Sequence, residues 1–202
     1  MFSDPSGRFS VFSLLVGALV VGALTLLSGC SKKTSNTTTT APTTSSSNST
    51  STTLTNDQKV LIATIAGEAT VTDNNKPVSS EARQAMANVA LNRVGCREWS
   101  EYSTVAEICE YTGFDAFGGD NYNKCMEYLN NRDGSNATYE DIIWDVMQAY
   151  ESDITGGCQL YYTPATMSPP GSSPNWNFEL LVEVNIPGVD PYYEGRFYKY
   201  TG

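Results

Sequence analysis

Leu61-Ile62-Ala63-Thr64-Ile65-Ala66-Gly67-Glu68-Ala69 (LIATIAGEA) ends an apolar run on a carboxylate. At 3.6 residues per turn, Glu68 falls one turn beyond Ile65 and two beyond Leu61, on the stripe that should face a packed interior. The run predicts a helix to about Glu68, capped by Thr55 or Asn56. It also makes Glu68 the acid that needs explaining. Burial raises a carboxyl pKa by disfavouring the charged form, which suits a group that must donate a proton near neutral pH. Gly67 leaves space beside it for a ligand to approach. The plainer alternative is a glutamate at a fraying helix end, solvated or paired with Arg83 or Arg93.

Downstream, the pattern stays helical for most of the chain. After a polar loop, TVTDNNKP, Ser80 predicts the cap of a second helix, EARQAMANVALNRV. Its residues Ala82, Ala85, Met86, Val89, Ala90 and Val94 recur at helical spacing, and Gly95 stops it. Thr104-Val105-Ala106-Glu107 reads as a capping box for a short third helix. Gly113 to Gly119 reads as a loop with exposed aromatics. A fourth helix is expected over about 121–131 and a fifth from Thr138, with Ile142, Ile143, Val146, Met147 and Tyr150 inward and Asp141 and Asp145 on the polar side. Beyond Gly156-Gly157 the aromatic and β-branched segments QLYY, LLVEVNI and GRFYKY predict short strands among long loops. The expected class is α+β, mainly α, with a small β element built by the C-terminal quarter.

Upstream, the first quarter of the 202 residues has the features of an export leader and a tether. Val11 to Leu27 is uninterrupted and apolar, and Leu27-Ser28-Gly29-Cys30 resembles a bacterial lipobox, in which Cys30 is lipidated and becomes the mature N-terminus; the alternative is an uncleaved anchor. Residues 31–54 are almost all Ser, Thr and Asn, a flexible tether of about 25–30 Å mean span. Residues 1–30, 31–54 and 55–202 are therefore leader, tether and domain. Either reading of the leader places the domain outside the cytoplasm, held to a membrane through lipid on Cys30 or through the anchor.

The net charge is −10, with nearly all acids in the domain, and no basic stripe exists to neutralise a phosphate backbone. Nucleic acid is excluded as a partner. Five cysteines leave an even set once Cys30 is set aside. In an exported chain Cys96, Cys109, Cys125 and Cys158 are expected to form two disulfides, with Cys96–Cys109 and Cys125–Cys158 the favoured pairing. The chain has no histidine. That removes Ser-His-Asp and Cys-His nucleophiles, H-E-x-x-H metallopeptidases and most catalytic zinc sites. No metal or cofactor is expected, and the chemistry falls to carboxylates, tyrosines, hydroxyls or lysines. Among the acids, Glu98, Glu101, Glu107 and Glu110 read as a solvated face and Glu81 as a first-turn residue favoured by the helix dipole. Only Glu68 interrupts an apolar stripe. The aromatics crowding the last quarter, from Tyr161 to Tyr200, suit either a core or the floor of a saccharide groove.

Five segments, in order, resemble the catalytic domain of the SleB-like cell-wall hydrolases, the spore cortex-lytic enzymes. IAGEA resembles the family's helix-end A-E-A with its catalytic glutamate, and AMANVALNRV its second helix ending in L-N-R-V. YSTVAEICEYTGFDAF resembles T-V-C-x-V-I-Y and the Gly-Gln-Phe-Ser loop that follows. CQLYYTPAT resembles A-L-Y-F-Y-N-P-A-T, and GRFYKY the closing strand. Departures are Gly113-Phe114-Asp115 in place of Gly-Gln-Phe, the inserted TVTDNN, Thr163-Pro164 for Asn-Pro, and the cysteine set. The resemblance implies a lysozyme-like or transglycosylase-like helical body, a monomer acting on peptidoglycan glycan strands, and Glu68 as general acid/base. A lone acid suits a lytic transglycosylase; the rivals are a muramidase with Asp115 as second carboxylate and an inactive wall-binding scaffold. Asn92, Tyr161, Tyr162, Trp176 and Tyr198 are the candidates for the groove.

Overall fold

The computed structural model describes residues 53–69 and 76–201. The leader, Cys30, the tether through residue 52 and the whole TVTDNN insert lie outside the described residues. Among the described residues, five α-helices are followed by a small sheet: α1 (Asn56–Glu68), α2 (Ser80–Arg93), α3 (Val105–Tyr111), α4 (Asp120–Asn130), α5 (Ala137–Glu151), β1 (Leu160–Tyr162), β2 (Leu181–Val184) and β3 (Arg196–Tyr200). The class is mixed α+β, mainly helical. All three expected strand segments pair.

α1 begins at a reciprocal capping box. Thr55 Oγ1 accepts from the Gln58 amide at 3.2 Å, and Gln58 Oε1 accepts from the Thr55 amide at 2.8 Å. From Val60 to Ala66 every residue is buried, so the expected single stripe is instead a helix enclosed on all sides. α2, α3, α4 and α5 all pack against it. Only Thr64 is polar in this run, and its hydroxyl donates to the Val60 carbonyl one turn back at 2.8 Å. Glu68 is where this enclosed rod reaches solvent.

α2 starts one residue earlier than expected. Ser79 is its cap, accepting from the Ala82 amide at 3.2 Å. Ser80, in the first turn, donates instead to Asp145. At the far end Gly95 adopts φ +77, a left-handed conformation that a side chain would resist, and the helix stops before it. Asp145 is not on a polar face: it is buried between Ser80 Oγ (2.5 Å) and Arg83 Nε (2.6 Å), locking α2 to α5. A carboxylate inside the fold is tolerated because this charged partner and hydroxyl satisfy it.

Two asparagines one turn apart on α2 guide the chain from α5 into the sheet. Asn88 donates to the carbonyls of Ala149 (3.0 Å) and Ser152 (3.2 Å) and accepts from the Ile154 amide (3.1 Å). Asn92 donates to Asp153 Oδ2 (3.1 Å), Thr155 Oγ1 (3.2 Å) and the Cys158 carbonyl (3.2 Å). Asn92 is thus buried and structural rather than part of a groove. The antiparallel sheet has order β1-β3-β2, with Tyr161 opposite Phe197, Phe197 opposite Val184, and Tyr198 opposite Glu183. Tyr161, Phe197 and Val184 therefore share the face laid on the helices, and Tyr162, Arg196, Tyr198 and Glu183 share the other.

The expected disulfides do not form. Cys109, Cys125 and Cys158 are buried free thiols, so neither Cys96–Cys109 nor Cys125–Cys158 exists. Cys109 lies on α3 and Cys125 on α4, which pack on α1, and both join the apolar core around that helix. Cys158 also belongs to that core. The thiols act as small core hydrophobes, and desolvation holds all three up to about 12.

Candidate active site

Glu68 is the last helical residue of α1, where the dipole of the helix disfavours a negative charge. Two groups from distant parts of the chain grip its carboxyl. The Ala116 amide donates to Oε1 at 2.9 Å, and the Tyr161 hydroxyl donates to Oε2 at 3.2 Å. Arg83 and Arg93, the sequence-level partners, make no ion pair with it among the described residues. Arg83 is engaged by Asp145, and Arg93 directs its bonds elsewhere.

Burial raises the Glu68 pKa above its ordinary value. The Ala116 amide opposes that rise, the negative charge of Asp115 adds to it, and the Tyr161 hydroxyl and the Arg93 charge oppose it. Only part of the side chain meets solvent. The result is an acid pushed toward its neutral form yet supplied with donors that also welcome the carboxylate, as a group that gives and then takes a proton requires. Tyr161 stays a donor throughout, because burial and the neighbouring Glu68 charge hold its phenol well above the ordinary value.

The donor loop is seated by steric fit. A Cβ on Gly67 would stand 2.5 Å from Ala116 Cβ and 3.3 Å from the Ala116 carbonyl oxygen. The space expected for a ligand is filled by Ala116 itself, and this approach brings the Ala116 amide to Glu68. Nor is the loop a display of exposed aromatics. Phe114 is buried, with its ring 6.1 Å from Tyr161, and Phe117 packs at 4.9 Å on Tyr122. Asp115 points to solvent between them, its carboxyl raised by partial burial.

Of the groove candidates, only Tyr161 reaches the acid. It stacks on Phe197 at 5.7 Å. Tyr162 and Tyr198 belong to the opposite sheet face, stacked at 6.0 Å, and Trp176 stands edge-on to both. Tyr162 bonds Ser173 at 3.2 Å, and Tyr198 donates to Glu183, which Arg196 also holds in a two-pronged ion pair. Period-two alternation along β1 sends Tyr161 and Tyr162 to opposite faces, so a linear cluster of aromatics becomes two separate sites.

Sequence reasoning missed the Ala116 amide, a backbone group that no side-chain pattern announces. It named Arg93 only as a possible ion-pair partner. Its placement at i+4 from Val89 and i+8 from Ala85 is the same signal that exposed Glu68: a charge on an apolar stripe. Among the described residues no cluster of three His, Cys, Asp or Glu is placed to hold a metal ion, and no helix is long and apolar enough to cross a membrane. Comparison with protein-family models, with curated proteins and with solved structures yields no match.

Proposed function

We propose that the chain is a peptidoglycan-cleaving glycosidase of the SleB-like type, a lytic transglycosylase acting between N-acetylmuramic acid and N-acetylglucosamine. The observation that carries this reading is the Glu68 carboxyl, raised by burial and held by two donors at the solvent end of an otherwise enclosed helix. In the proposed reaction the Glu68 carboxyl protonates the glycosidic oxygen, and the bond from that oxygen to muramic C1 breaks. The Glu68 carboxylate then takes the proton of the muramic C6 hydroxyl, whose oxygen bonds to C1. The products are a 1,6-anhydro end and a free N-acetylglucosamine hydroxyl, and Glu68 is again protonated. One carboxyl performs both transfers, with Ala116 and Tyr161 stabilising the charge it carries between them.

The lysozyme-like character of the helical body, a lipid on Cys30 and an extracytoplasmic site belong to the same proposal. The lipobox-like LSGC and the Ser/Thr-rich tether support it, since they would hold the domain beside a wall polymer. A second reading has one observation in its favour. Asp115 lies close enough for its charge to act on Glu68, so Asp115 could serve as the base of a muramidase.

Mass spectrometry of digested peptidoglycan decides among them. Anhydro-muropeptides that vanish with Glu68→Gln support the transglycosylase. Reducing ends alone, lost with Asp115→Asn, support the muramidase. Equal turnover by wild type and Glu68→Gln overturns Glu68 as the catalytic acid, and no turnover by either leaves a wall-binding scaffold.

A further inference from the structure

Arg93 closes α2 as a buried cation and forms no ion pair among the described residues. Its guanidinium lies between two rings, 5.0 Å from the centroids of both Trp99 and Phe114. Nε donates to the Gln159 carbonyl at 2.7 Å. Nη1 donates to the Thr112 carbonyl at 2.7 Å and to Thr112 Oγ1 at 2.9 Å. Burial brings its pKa down only to about 10, so it remains charged at neutral pH.

These contacts fall on two particular segments. Gln159 precedes Tyr161 by two residues, and Tyr161 supplies the donor to Glu68 Oε2. Thr112 and Phe114 precede Ala116 by four and two, and Ala116 supplies the donor to Oε1. We propose that Arg93 is the positioning residue of the site: one guanidinium bolts together both segments that hold Glu68, and aims both hydrogen bonds at the acid. The assignment rests on the reading of Glu68 as the proton donor. A planar fork with several fixed donors suits this task, whereas a lysine ammonium is a point charge on a flexible stem.

The charge has a second consequence. Glu68 is faced by Asp115 from the 113–119 loop, Tyr161 from β1, Cys109 from α3 and Arg93 from α2. Cys109 is held up to about 12 and is neutral, as is Tyr161. Asp115 and Arg93 are therefore the two fixed charges acting on the acid, with opposite signs, and Arg93 is the one that favours the carboxylate.

The test uses the full chain with carbon-13-labelled glutamate, the Glu68 signal being assigned by its loss in Glu68→Gln. Arg93→Met is expected to move the Glu68 titration midpoint upward, through loss of the cation and loosening of both donors. Arg93→Lys keeps the charge and moves it less. Both should lower kcat on peptidoglycan by about 10- to 100-fold, the loss that a misplacement near 1 Å brings, with KM within about twofold. A folded Arg93→Lys protein with wild-type kcat and midpoint overturns the proposal. Should the Arg93 variants not fold, Phe114→Leu removes one ring of the sandwich and is expected to shift the midpoint in the same direction; an unmoved midpoint there overturns it too. The titration needs no substrate. A moved midpoint in a chain that cleaves no glycan would retain the role of Arg93 and discard the peptidoglycan reading.

Discussion

Gly67→Ala tests the geometry of the site through a single methyl group. In a helix alanine is normally the better residue, by up to about 1 kcal/mol. Here the new Cβ would lie 2.5 Å from Ala116 Cβ and 3.3 Å from the Ala116 carbonyl oxygen, whereas carbon atoms settle at about 3.5–4.0 Å. The 113–119 loop must therefore retreat by about 1.0–1.5 Å. Ala116 N is 2.9 Å from Glu68 Oε1, and a retreat of that size takes it beyond hydrogen-bond reach. Overpacking costs about 1–3 kcal/mol. Set against the helical gain, a net loss of about 1 kcal/mol is expected, or about 3 °C in melting temperature. Turnover should fall much further, by about 100-fold, and amide exchange at Ala116 should lose protection. Because that amide opposes the raised Glu68 pKa, the Glu68 titration midpoint should also move upward. A Gly67→Ala protein that melts higher than wild type, with Ala116 still protected and turnover unchanged, would refute the seating of Ala116 on α1.

Three further outcomes follow from the same contacts. Folded-state burial raises the Glu68 pKa, so the folded protein keeps this proton over a window in which the unfolded chain has lost it. Its contribution favours folding at low pH and fades as pH rises through that window. Glu68→Gln should thus raise the melting temperature at pH 7, with little gain at pH 4; equal gains at both would rule out the buried charge as the cause. Asn92→Ala removes a donor to Asp153, Thr155 and Cys158 and should cost about 2–4 kcal/mol in denaturant unfolding, while a loss below about 0.5 kcal/mol would show that the 153–158 segment holds itself. Cys109, Cys125 and Cys158 should resist alkylation in the native protein and all react on unfolding without reductant; a Cys125–Cys158 cross-link in a peptide map would contradict the fold.

Much of the architecture was legible locally. The cap at Thr55, one of the two candidates, the capping box at Thr104, the stop at Gly95 and the three β-rich segments depend on residues a few positions apart, and they formed where the pattern placed them. The errors have a common origin. Cysteine parity implied the Cys96–Cys109 and Cys125–Cys158 bridges, yet Cys109, Cys125 and Cys158 became buried core residues. Asp145 has polar neighbours in sequence, but α2 brought Ser80 and Arg83 over it. Tyr161 and Tyr162 are adjacent in the chain and separated by the thickness of a sheet.

By itself, the sequence determined that this is a mainly helical domain, that histidine chemistry is absent, and that Glu68 stands on an apolar helix as the acid to explain. Periodicity and composition suffice for such statements, because each reflects the chain's own local preference for water or for the interior. Only the tertiary structure decided what surrounds that acid. Ala116 and Tyr161 reach Glu68 across 48 and 93 residues, and Arg93 spans the two segments that bear them. No local preference encodes those distances; they arise when α2 and the sheet close over the end of α1, where steric fit at Gly67 and the parity of β1 select which groups meet the carboxyl.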